Sequence, residues 1–382
     1  MKKRHFIKTL TGASLSLMLG NAFSSCSVKE KQTAENQSLK KGLPDNWIWM
    51  RPDTSLSDDQ WKSQFEKIRK AGFEAILPQV YSSRDTLFDH PVLPVKERWL
   101  ERIIPIAHAA GLQVHAWMWT MILNEPGMVE KHPDWFSFNR LGQPAHTHPA
   151  YVDYYKFMCP CHPEVAEFVG GNVEALGKIE DLDGIHLDYV RQPDVILAEA
   201  LQPKYNIVQD QEYPEYDYPY SENCRNLFKA KFGTDPMDLA DPVTDPDWRQ
   251  FRYDAVSNIV NNHCVPMAKK YGKTITAAVF PNWESVRQQW HRWNLDAFLP
   301  MLYHGFYNAD INWVGEEVQK ALQRLDNSKP VYAGLFKGHI EPEQWSTAIE
   351  VSKKAGGKGI SVFDLGSLKE EDWAALGVAL QR

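Results

Sequence analysis

The sequence predicts a closed barrel of eight parallel strands alternating with helices, a (β/α)8 or TIM barrel of the α/β class, with long loops after strands 3 and 4. Short apolar strands alternate with amphipathic helices eight times along the chain. Such alternation favours a parallel sheet with right-handed crossovers, and eight repeats favour closure into a barrel. The 382 residues suffice for one such domain, since barrels of this kind need about 250 residues.

The first 26 residues have the pattern of a bacterial export signal. Basic residues at positions 2–4 precede an apolar run, and Ser24 and Ser25 stand before Cys26 as small residues do in a lipoprotein cleavage site. We therefore expect export and a lipid anchor on Cys26 at the bacterial cell envelope, in the periplasm or at the outer-membrane surface. The alternative is a signal cut elsewhere, which would release a soluble periplasmic protein.

Residues 27–41 are rich in Lys, Glu, Gln and Ser, with too little apolar surface to fold, so we expect a flexible tether there. The barrel domain is then expected over residues 42–382. No apolar run after the leader is long enough to span a bilayer, and membrane contact is therefore expected only through the anchor on Cys26. The sequence leaves the oligomeric state open.

Charge and composition narrow the class of ligand. The formal net charge is -7 and the pI is about 6.0, without a Lys/Arg cluster outside the N-terminus, which excludes a nucleic-acid partner. No glycine-rich loop follows a strand, so a phosphate-binding barrel is not expected. The 14 Trp, 15 Tyr and 17 Phe residues suit sugar rings, because aromatic side chains offer flat apolar faces with polar tips. We expect a carbohydrate partner and no cofactor.

Cysteines are few after Cys26. The run Cys159-Pro160-Cys161-His162 has no second His/Cys pair at the spacing of a zinc finger, so structural cysteines are expected and no metal site. A disulfide between this pair and Cys224 is compatible with an oxidising compartment. Sequence alone does not give the connectivity.

The first three strands are each followed by a helix or a loop signal. The strand at residues 46–50 precedes a helix with a capping-box pattern at Ser57 and Gln60, which ends at Gly72. A second strand at residues 74–80 precedes a helix that ends at Gly111. The third strand, at residues 113–119, places three side chains on one face because strand side chains alternate: His115, Trp117 and Trp119.

The fourth strand, at residues 183–188, ends in the residues on which the site prediction rests. His186 and Asp188 share one face of this strand, and Arg191 follows within three residues. In a closed parallel barrel, polar residues at the carboxyl end of a strand are typically catalytic. The structural alternative is that His186 is a hydrogen-bonded core histidine and that Asp188 caps a loop or pairs with Arg191.

A long loop from about residue 192 to 247 follows, which is either a substrate-facing lid or a surface elaboration, and then a long helix that ends at Gly272. The last four strands are predicted at residues 274–280, 296–303, 331–336 and 359–363. Polar residues follow the ends of three of them, namely Glu284, Tyr303 with His304, and Asp364.

Five segments in this order resemble the family-10-like glycosyl hydrolase lipoproteins, a barrel family distantly similar to the α-amylase group. They are residues 107–117, His132-Pro133-Asp134-Trp135, residues 183–188, Pro300-Met301-Leu302-Tyr303 and residues 356–363. The resemblance implies a secreted or lipid-anchored glycoside hydrolase, and at least one such relative is associated with peptidoglycan glycan strands. Many relatives carry two successive acidic residues at the end of the fourth strand, whereas this chain has Asp188-Tyr189.

Because Tyr189 stands where many relatives have a second acidic residue, the catalytic partner of Asp188 is expected to be a carboxylate from another strand. In the amylase-like pattern the nucleophile ends the fourth strand and the acid/base ends the fifth, which correspond here to Asp188 and Glu284. Asp188 beside Arg191 is expected to stay ionised, and Glu284 beside Trp283 is expected to stay protonated. Because carboxylates on adjacent strands fit the short separation of a retaining enzyme, about 5 to 5.5 Å, retention is expected.

Asp364 is the rival partner. It would reach across the barrel mouth from the eighth strand, and the longer separation would favour inversion. The remaining substrate-binding residues are predicted to orient hydroxyl groups, to neighbour Asp188 or to stack on sugar rings: His115, His186, Tyr303, His304, Asp364, Arg191, Trp49, Trp117 and Trp119.

Two other functions are weighed against a hydrolase of poly- or oligosaccharides. The single acidic residue at the fourth strand motivates a surface glycan-binding lipoprotein without catalysis. The action of a hydrolase on peptidoglycan glycan strands is a further alternative. A metal-dependent deacetylase is disfavoured, because the histidines at 115, 186, 304 and 339 lie on different strands without the spacing of a metal site.

Overall fold

Eight parallel strands alternate with helices along residues 42–381, the part of the chain that the computed structural model describes. The strands are β1 (Asn46–Met50), β2 (Ala75–Tyr81), β3 (Gln113–Trp119), β4 (Gly184–Asp188), β5 (Thr274–Val279), β6 (Ala297–Pro300), β7 (Tyr332–Phe336) and β8 (Gly359–Phe363). The helices over the same residues are α1 (Asp58–Lys70), α2 (Trp99–Ala109), α3 (Pro126–Lys131), α4 (Pro163–Gly177), α5 (Glu222–Phe232), α6 (Pro246–Asn258), α7 (Val265–Lys270), α8 (Asn312–Arg324), α9 (Trp345–Lys354) and α10 (Glu370–Leu380).

The strands form one sheet in the order β6-β5-β4-β3-β2-β1-β8-β7. Parallel bridges between Phe298 and Val331 and between Met301 and Gly334 connect β6 to β7. The sheet therefore returns to its first edge, and the predicted (β/α)8 barrel is confirmed. Because all strands run the same way, their carboxyl ends meet at one mouth.

Helix α1 shows how the sequence signals set the helix ends. Ser57 and Gln60 form the expected capping box, with the Gln60 side-chain oxygen 2.9 Å from the Ser57 backbone nitrogen. Gly72, just beyond the helix, has a φ of 100°. A Cβ there would lie 2.8 Å from the Cβ of Leu380. Glycine is thus required both by the left-handed backbone and by the close approach of the last helix.

The long helix predicted to end at Gly272 is present but contains a change of winding. Helices α6 and α7 are joined by a π-helical segment, Ile259–Cys264. Pro266, in the first turn of α7, cannot donate a backbone hydrogen bond, and its ring disfavours a regular α-helical turn before it. The wider π turn accommodates this proline within one continuous helical rod.

The barrel has two layers of apolar packing. Inward-facing side chains form a cluster that fills the barrel: Trp47, Trp49, Ala75, Leu77, Trp117, Ala278, Ala297, Leu299 and Tyr332. The alternate residues of each strand, for example Ile48, Ile76 and Ile185, pack outward against the helices. Inner and outer faces therefore follow the predicted alternation of side chains.

Two long segments rise above the barrel mouth, residues 120–162 after β3 and residues 189–245 after β4. The first contains α3 and the second contains α5. Cys161 forms a disulfide with Cys224, which ties the first segment to the second and is one of the pairings that the sequence left open. Cys159 and Cys264 are free and buried.

Buried ion pairs hold the second segment against the barrel. Asp217 is fully buried and accepts hydrogen bonds from Arg252 of α6, from Arg287 beyond β5 at 3.0 Å and from the Tyr220 hydroxyl at 2.8 Å. Arg287 also pairs with Glu212. The segment is thus fixed by charges that water does not reach.

Residues from Leu43 onwards form one compact unit. The expected leader, the anchor at Cys26 and the tether at 27–41 lie outside the described residues. Within residues 42–381, no helix combines the length and the apolar character that crossing a bilayer requires.

Candidate active site

A cavity of about 230 Å³ opens among the carboxyl ends of the strands, beneath the two long segments. Its walls are mainly aromatic, and their charged members are Arg51, Asp188, Arg191 and Asp194. The other lining residues are Trp49, Trp117, Trp119, Tyr155, Tyr189, Leu197, Leu201, Tyr205, Ala278, Phe280, Met301, Tyr303, Phe306, Tyr307 and Phe363. Part of the segment after β4 therefore contributes to the walls of the cavity.

Asp188 ends β4 at the floor of this cavity and is 8% exposed. One carboxylate oxygen, Oδ2, accepts a hydrogen bond of 3.0 Å from Trp117 Nε1. The other, Oδ1, accepts one of 2.7 Å from the Tyr189 backbone N–H. Burial raises the pKa of Asp188 to about 6, although these hydrogen bonds and the Arg191 charge act in the opposite direction.

The raised pKa differs from the expectation that Arg191 would keep Asp188 ionised. The guanidinium makes its short contact elsewhere, because Arg191 Nη1 lies 3.0 Å from Asp194 Oδ2. Its central carbon lies 4.7 Å from the Phe280 ring centre and 5.1 Å from that of Tyr189. Desolvation of Asp188 therefore outweighs the attraction of a cation that is already paired.

Asp194 is the second carboxylate of the cavity, and the sequence prediction did not include it. It is 6% exposed, and its backbone carbonyl accepts a hydrogen bond of 2.7 Å from the Tyr151 hydroxyl. The negative charge of Asp194 contributes to the raised pKa values of Tyr155 and Tyr307, secondary in each case to burial. Asp188 contributes in the same way to the raised pKa of Tyr303. The two carboxylates thus contribute to the raised pKa values of different tyrosines that line one cavity.

Glu284 and Asp364, the predicted partners of Asp188, are not among the residues that line this cavity. Glu284 lies in the turn Trp283–Val286 beyond β5, where its backbone carbonyl accepts a hydrogen bond from the Arg287 N–H. Asp364 follows β8 and pairs with Arg51 at 3.0 Å, while its Oδ1 caps the turn at Ser367. Neither carboxylate lines the cavity with Asp188, but Asp364 contacts its wall through Arg51.

The predicted histidines also lie away from the cavity walls. His115 and His186 are fully buried inside the barrel, where burial lowers their pKa values to about 4 and about 3. His186 Nδ1 lies 2.8 Å from the Thr276 hydroxyl, and His115 Nε2 lies 3.0 Å from Gln113 Oε1. They match the structural alternative of hydrogen-bonded core histidines. His304 packs against His339, with ring centres 5.9 Å apart.

Depth in the barrel explains why His115 does not line the cavity. His115 pairs in register with Gly184, whereas Trp119 pairs with Asp188 four residues nearer the mouth. At about 3.3 Å per residue, His115 lies about 13 Å below the rim. A Cβ on Gly184 would stand 2.1 Å from His115 Nδ1, so the glycine provides the space for this ring.

The predicted aromatic residues Trp49, Trp117, Trp119 and Tyr303 do line the cavity. Burial raises the pKa of Tyr303, with the carboxylates of Asp188 and Asp364 adding to the effect, so its hydroxyl keeps its proton. Sequence reasoning missed other rings in the wall: Tyr155, Tyr189, Tyr205, Phe280, Phe306, Tyr307 and Phe363. Phe280 and Phe363 stand at strand ends and could have been found there, whereas Tyr155 and Tyr205 lie in long segments without periodic patterning.

Among residues 42–381, one group of side chains could hold a metal ion, and it lies away from this cavity. The sulfur atoms of Cys159, Cys161 and Cys224 lie within 4.8 Å of one another. Two of them form the disulfide, and none of the three lines the cavity. The cavity itself offers two carboxylates, two guanidinium groups, hydroxyl groups and aromatic faces.

The described fold matches known glycoside-hydrolase structures. A family model described as glycosyl hydrolase-like 10 matches residues 44–353. The glycoside hydrolase domain of PgaB (BpsB) from Bordetella bronchiseptica superposes with a TM-score of 0.66 at 14% identity, over 88% of this chain and 98% of that one. The catalytic domain of a Paenibacillus polymyxa β-amylase gives 0.62 at 10% identity, over 87% and 97%.

A β-galactosidase from the psychrophilic Marinomonas ef1 superposes with a TM-score of 0.62 at 12% identity, over 88% of this chain and 59% of that protein. The chain therefore spans somewhat more than half of the galactosidase. No curated protein sequence matches it. At these identities the structural likenesses show the shared barrel.

Proposed function

The chain belongs to the glycosyl hydrolase-like 10 family, and we propose that it is a glycoside hydrolase that cleaves glycosidic bonds of a poly- or oligosaccharide in the cavity around Asp188. The observation that carries this proposal is the state of Asp188. It is buried at the end of β4, held by two hydrogen bonds, and its pKa is raised to about 6. A carboxyl group whose pKa is raised toward neutrality holds a proton at mildly acidic pH, and the protonation of a leaving glycosidic oxygen requires such a group.

We assign Asp188 as the general acid, which differs from the nucleophile expected from the sequence. The reaction also needs an ionised carboxylate. Asp194 is the candidate that shares the cavity, where it lies 3.0 Å from Arg191. Glu284, the partner expected from the family pattern, would have to move into the cavity in order to act.

The stereochemical outcome follows from which carboxylate is the partner. Separations of about 6.5 to 9.5 Å leave room for the water of an inverting enzyme, and about 5 to 5.5 Å suits a covalent intermediate. Because Asp194 lines the cavity from the segment after β4 and not from the end of an adjacent strand, we propose that Asp194 activates a water and that the anomer is inverted. Retention is the outcome that the pairing of Asp188 with Glu284 would give.

The aromatic walls support a carbohydrate substrate. Trp49, Trp117, Trp119 and Tyr303 offer faces and hydroxyl or indole groups around Asp188, and aromatic faces pack well on the apolar faces of sugar rings. We further propose that the protein is exported and lipid-anchored on Cys26 at the cell envelope, where glycans of the wall or of the surroundings are accessible. The basic start and the apolar run that precede Cys26 support this location.

The test is incubation with a panel of polysaccharides, including peptidoglycan glycan strands, and detection of new reducing ends by mass spectrometry. Asp188→Asn should lower the rate by about 100-fold to 10,000-fold, as loss of a general acid does. Asp194→Asn should also inactivate the enzyme, and Asp59→Asn, at an exposed position of α1, is the matched control. Binding without any new reducing ends would instead support the alternative of a glycan-binding lipoprotein. The observation that favours this alternative is the single acidic residue at the end of β4.

A further inference from the structure

A groove of about 680 Å³, about three times the volume of the cavity at 230 Å³, lies on the outer side of Trp119. We call it the Trp119–Tyr154 groove. The residues that matter here are Arg84, Trp119, Glu130, Asp153, Tyr154 and Lys156. They come from the segments after β2 and β3, so the groove lies at the same end of the barrel as the cavity.

The groove and the cavity are adjacent, since Trp119 lines both. Trp119 pairs in register with Asp188 on the neighbouring strand, and neighbouring strands lie about 4.8 Å apart. Its ring centre is 4.6 Å from that of Tyr189 in the cavity and 5.4 Å from that of Tyr154 in the groove. A row of aromatic faces thus leads outward from the proposed general acid.

Tyr154 is the outer member of this row. Its side chain is 40% exposed, and its ring is tilted by 33° to that of Trp119. Such a ring leaves a face open to a ligand while its edge is supported by the protein. Aromatic faces of this kind pack on the apolar faces of sugars, as they do on other flat apolar surfaces.

The polar walls of the groove carry balanced charge. Arg84 and Lys156 are cationic, and Glu130 and Asp153 are anionic. Within the described part of the chain, none of these four side chains forms an ion pair. They are therefore available as hydrogen-bond donors and acceptors for hydroxyl groups, without a net charge that would select an ionic ligand.

The backbone beside the groove is held in a demanding conformation. Ser83, in the groove wall, has a φ of 81°. The Asn124 backbone N–H donates to the Ser83 carbonyl at 2.7 Å, and the Asn124 side chain donates to the Ser83 hydroxyl at 2.9 Å. Since a non-glycine residue at positive φ persists only where its surroundings fix it, the groove has a rigid floor.

We propose that the Trp119–Tyr154 groove binds the uncharged sugar residues of a glycan chain that continues beyond the residue held at Asp188. The cavity of about 230 Å³ falls below the usual size of a ligand pocket, about 300 to 1,000 Å³, so it holds little more than one sugar ring. The substrate is then a chain of several neutral sugars, and the groove makes the affinity depend on the length of that chain. This inference rests on the proposed function.

The experiment uses the Asp188→Asn protein, which leaves bound glycans intact. Calorimetric titrations are made with cello-, xylo-, malto- and N-acetylchito-oligosaccharides from disaccharide to hexasaccharide. Each such series of increasing length is called a ladder. Oligogalacturonates serve as the anionic ladder, and chitosan oligosaccharides serve as the cationic ladder. A ladder prepared from any polysaccharide that the wild type cleaves is added. We expect affinity for a neutral ladder to rise with length by about tenfold or more, the equivalent of one additional favourable ring contact.

Adding Tyr154→Ala should remove this rise and leave the affinity for the disaccharide unchanged. Tyr213→Ala is the matched control, because Tyr213 lines neither the groove nor the cavity and its hydroxyl bonds to Asp210. The proposal that the groove binds glycan is wrong if affinity does not depend on oligosaccharide length, or if Tyr154→Ala loses the same affinity at every length. The proposed function stands in either case. Preference for a charged ladder overturns the neutral class of ligand. If the protein binds none of the oligosaccharides and cleaves no polysaccharide, both the role of the groove and the proposed function are wrong.

Discussion

Trp117 of β3 donates a hydrogen bond to the carboxylate of Asp188 on the neighbouring strand β4, with 3.0 Å between Nε1 and Oδ2. Asp188 ends β4, Trp117 lies two residues before the end of β3, and the bond fixes the orientation of the carboxyl group. Because the indole N–H stabilises the ionised form, it keeps the pKa of Asp188 lower than burial alone would make it. Trp117 therefore tunes the proton that the proposed reaction transfers.

Replacing Trp117 by Phe should raise the pKa of Asp188 further. The loss of one hydrogen bond to a buried carboxylate is expected to shift it upward by about one unit. If Asp188 must be protonated to act, the fall of kcat/KM at high pH moves to higher pH by the same amount. The measurement is the pH profile of kcat/KM for both proteins on a polysaccharide that the wild type cleaves. An unchanged upper limb would show that another group controls it.

Asp188 should also make the stability of the protein depend on pH. Its pKa is raised from 3.8 to about 6 on folding, so the folded state binds the proton more tightly than the unfolded state does. The contribution of Asp188 to the free energy of unfolding is fully present below pH 3.8 and is lost as pH rises through about 6. A shift of about two units corresponds to about 3 kcal/mol at most.

Asp188→Asn should therefore stabilise the protein at pH 8 relative to its effect at pH 4. The neutral amide avoids the burial of a negative charge at the higher pH. Urea unfolding of both proteins at the two pH values gives the difference in the free energy of unfolding. A stabilisation of equal size at both pH values would contradict the raised pKa.

Removing the charge of Asp217 should loosen the wall that the segment after β4 contributes to the cavity. Asp217→Ala leaves Arg252 and Arg287 buried with an unbalanced charge, and such a loss costs about 3 to 5 kcal/mol. Thermal unfolding of Asp217→Ala and of the wild type measures this loss of stability. Glu350→Ala, in an exposed pair with Lys354 on α9, should leave the melting temperature unchanged.

The disulfide should contribute through the long loop that it closes. Cys161 and Cys224 are separated by 63 residues, and closing a loop of that length restricts the unfolded chain by about 4 kcal/mol. Cys224→Ser should lose this contribution. Cys161→Ser should lose less of it, because the Cys159 sulfur lies 3.5 Å from that of Cys224 and can form the bond instead. Peptide mapping by mass spectrometry, with guanidinium unfolding, checks both expectations.

Cys26→Ser should remove the proposed lipid anchor. The expected result is that the protein leaves the membrane fraction of the producing bacterium and that radiolabelled palmitate is no longer incorporated. Substituting Ser27 by Ala, one position later, is the matched control. Recovery of both forms in the same soluble fraction would favour the alternative of a signal cut elsewhere.

The sequence predicted the barrel and its mouth because strand alternation and helix ends are local properties. It placed Asp188, Trp117 and Trp119 correctly at the ends of β3 and β4, where counting along a strand is sufficient. It placed His115 on the inner face, yet alternation alone does not state depth. The residue therefore lies in the barrel core rather than at the site.

Partner carboxylates were harder to predict, since they depend on how the chain turns after a strand. β5 ends at Val279, and Glu284, five residues later, lies in a 3-10 turn and does not line the cavity. Asp194 lies six residues after Asp188 and is held at the cavity by Arg191. No periodic pattern marks such a return, which long-range packing and ion pairing determine.

The charges around Asp217 bear on the salts in which the protein can work. Arg140, Arg252 and Arg287 surround this one carboxylate, whose side chain is fully buried. Dissolved ions screen surface charges within about 10 Å at 0.1 M, but they act much less on pairs from which water is excluded. The upper wall of the cavity should therefore keep its shape in brine as in dilute buffer, while exposed pairs such as that of Lys354 with Glu350 weaken.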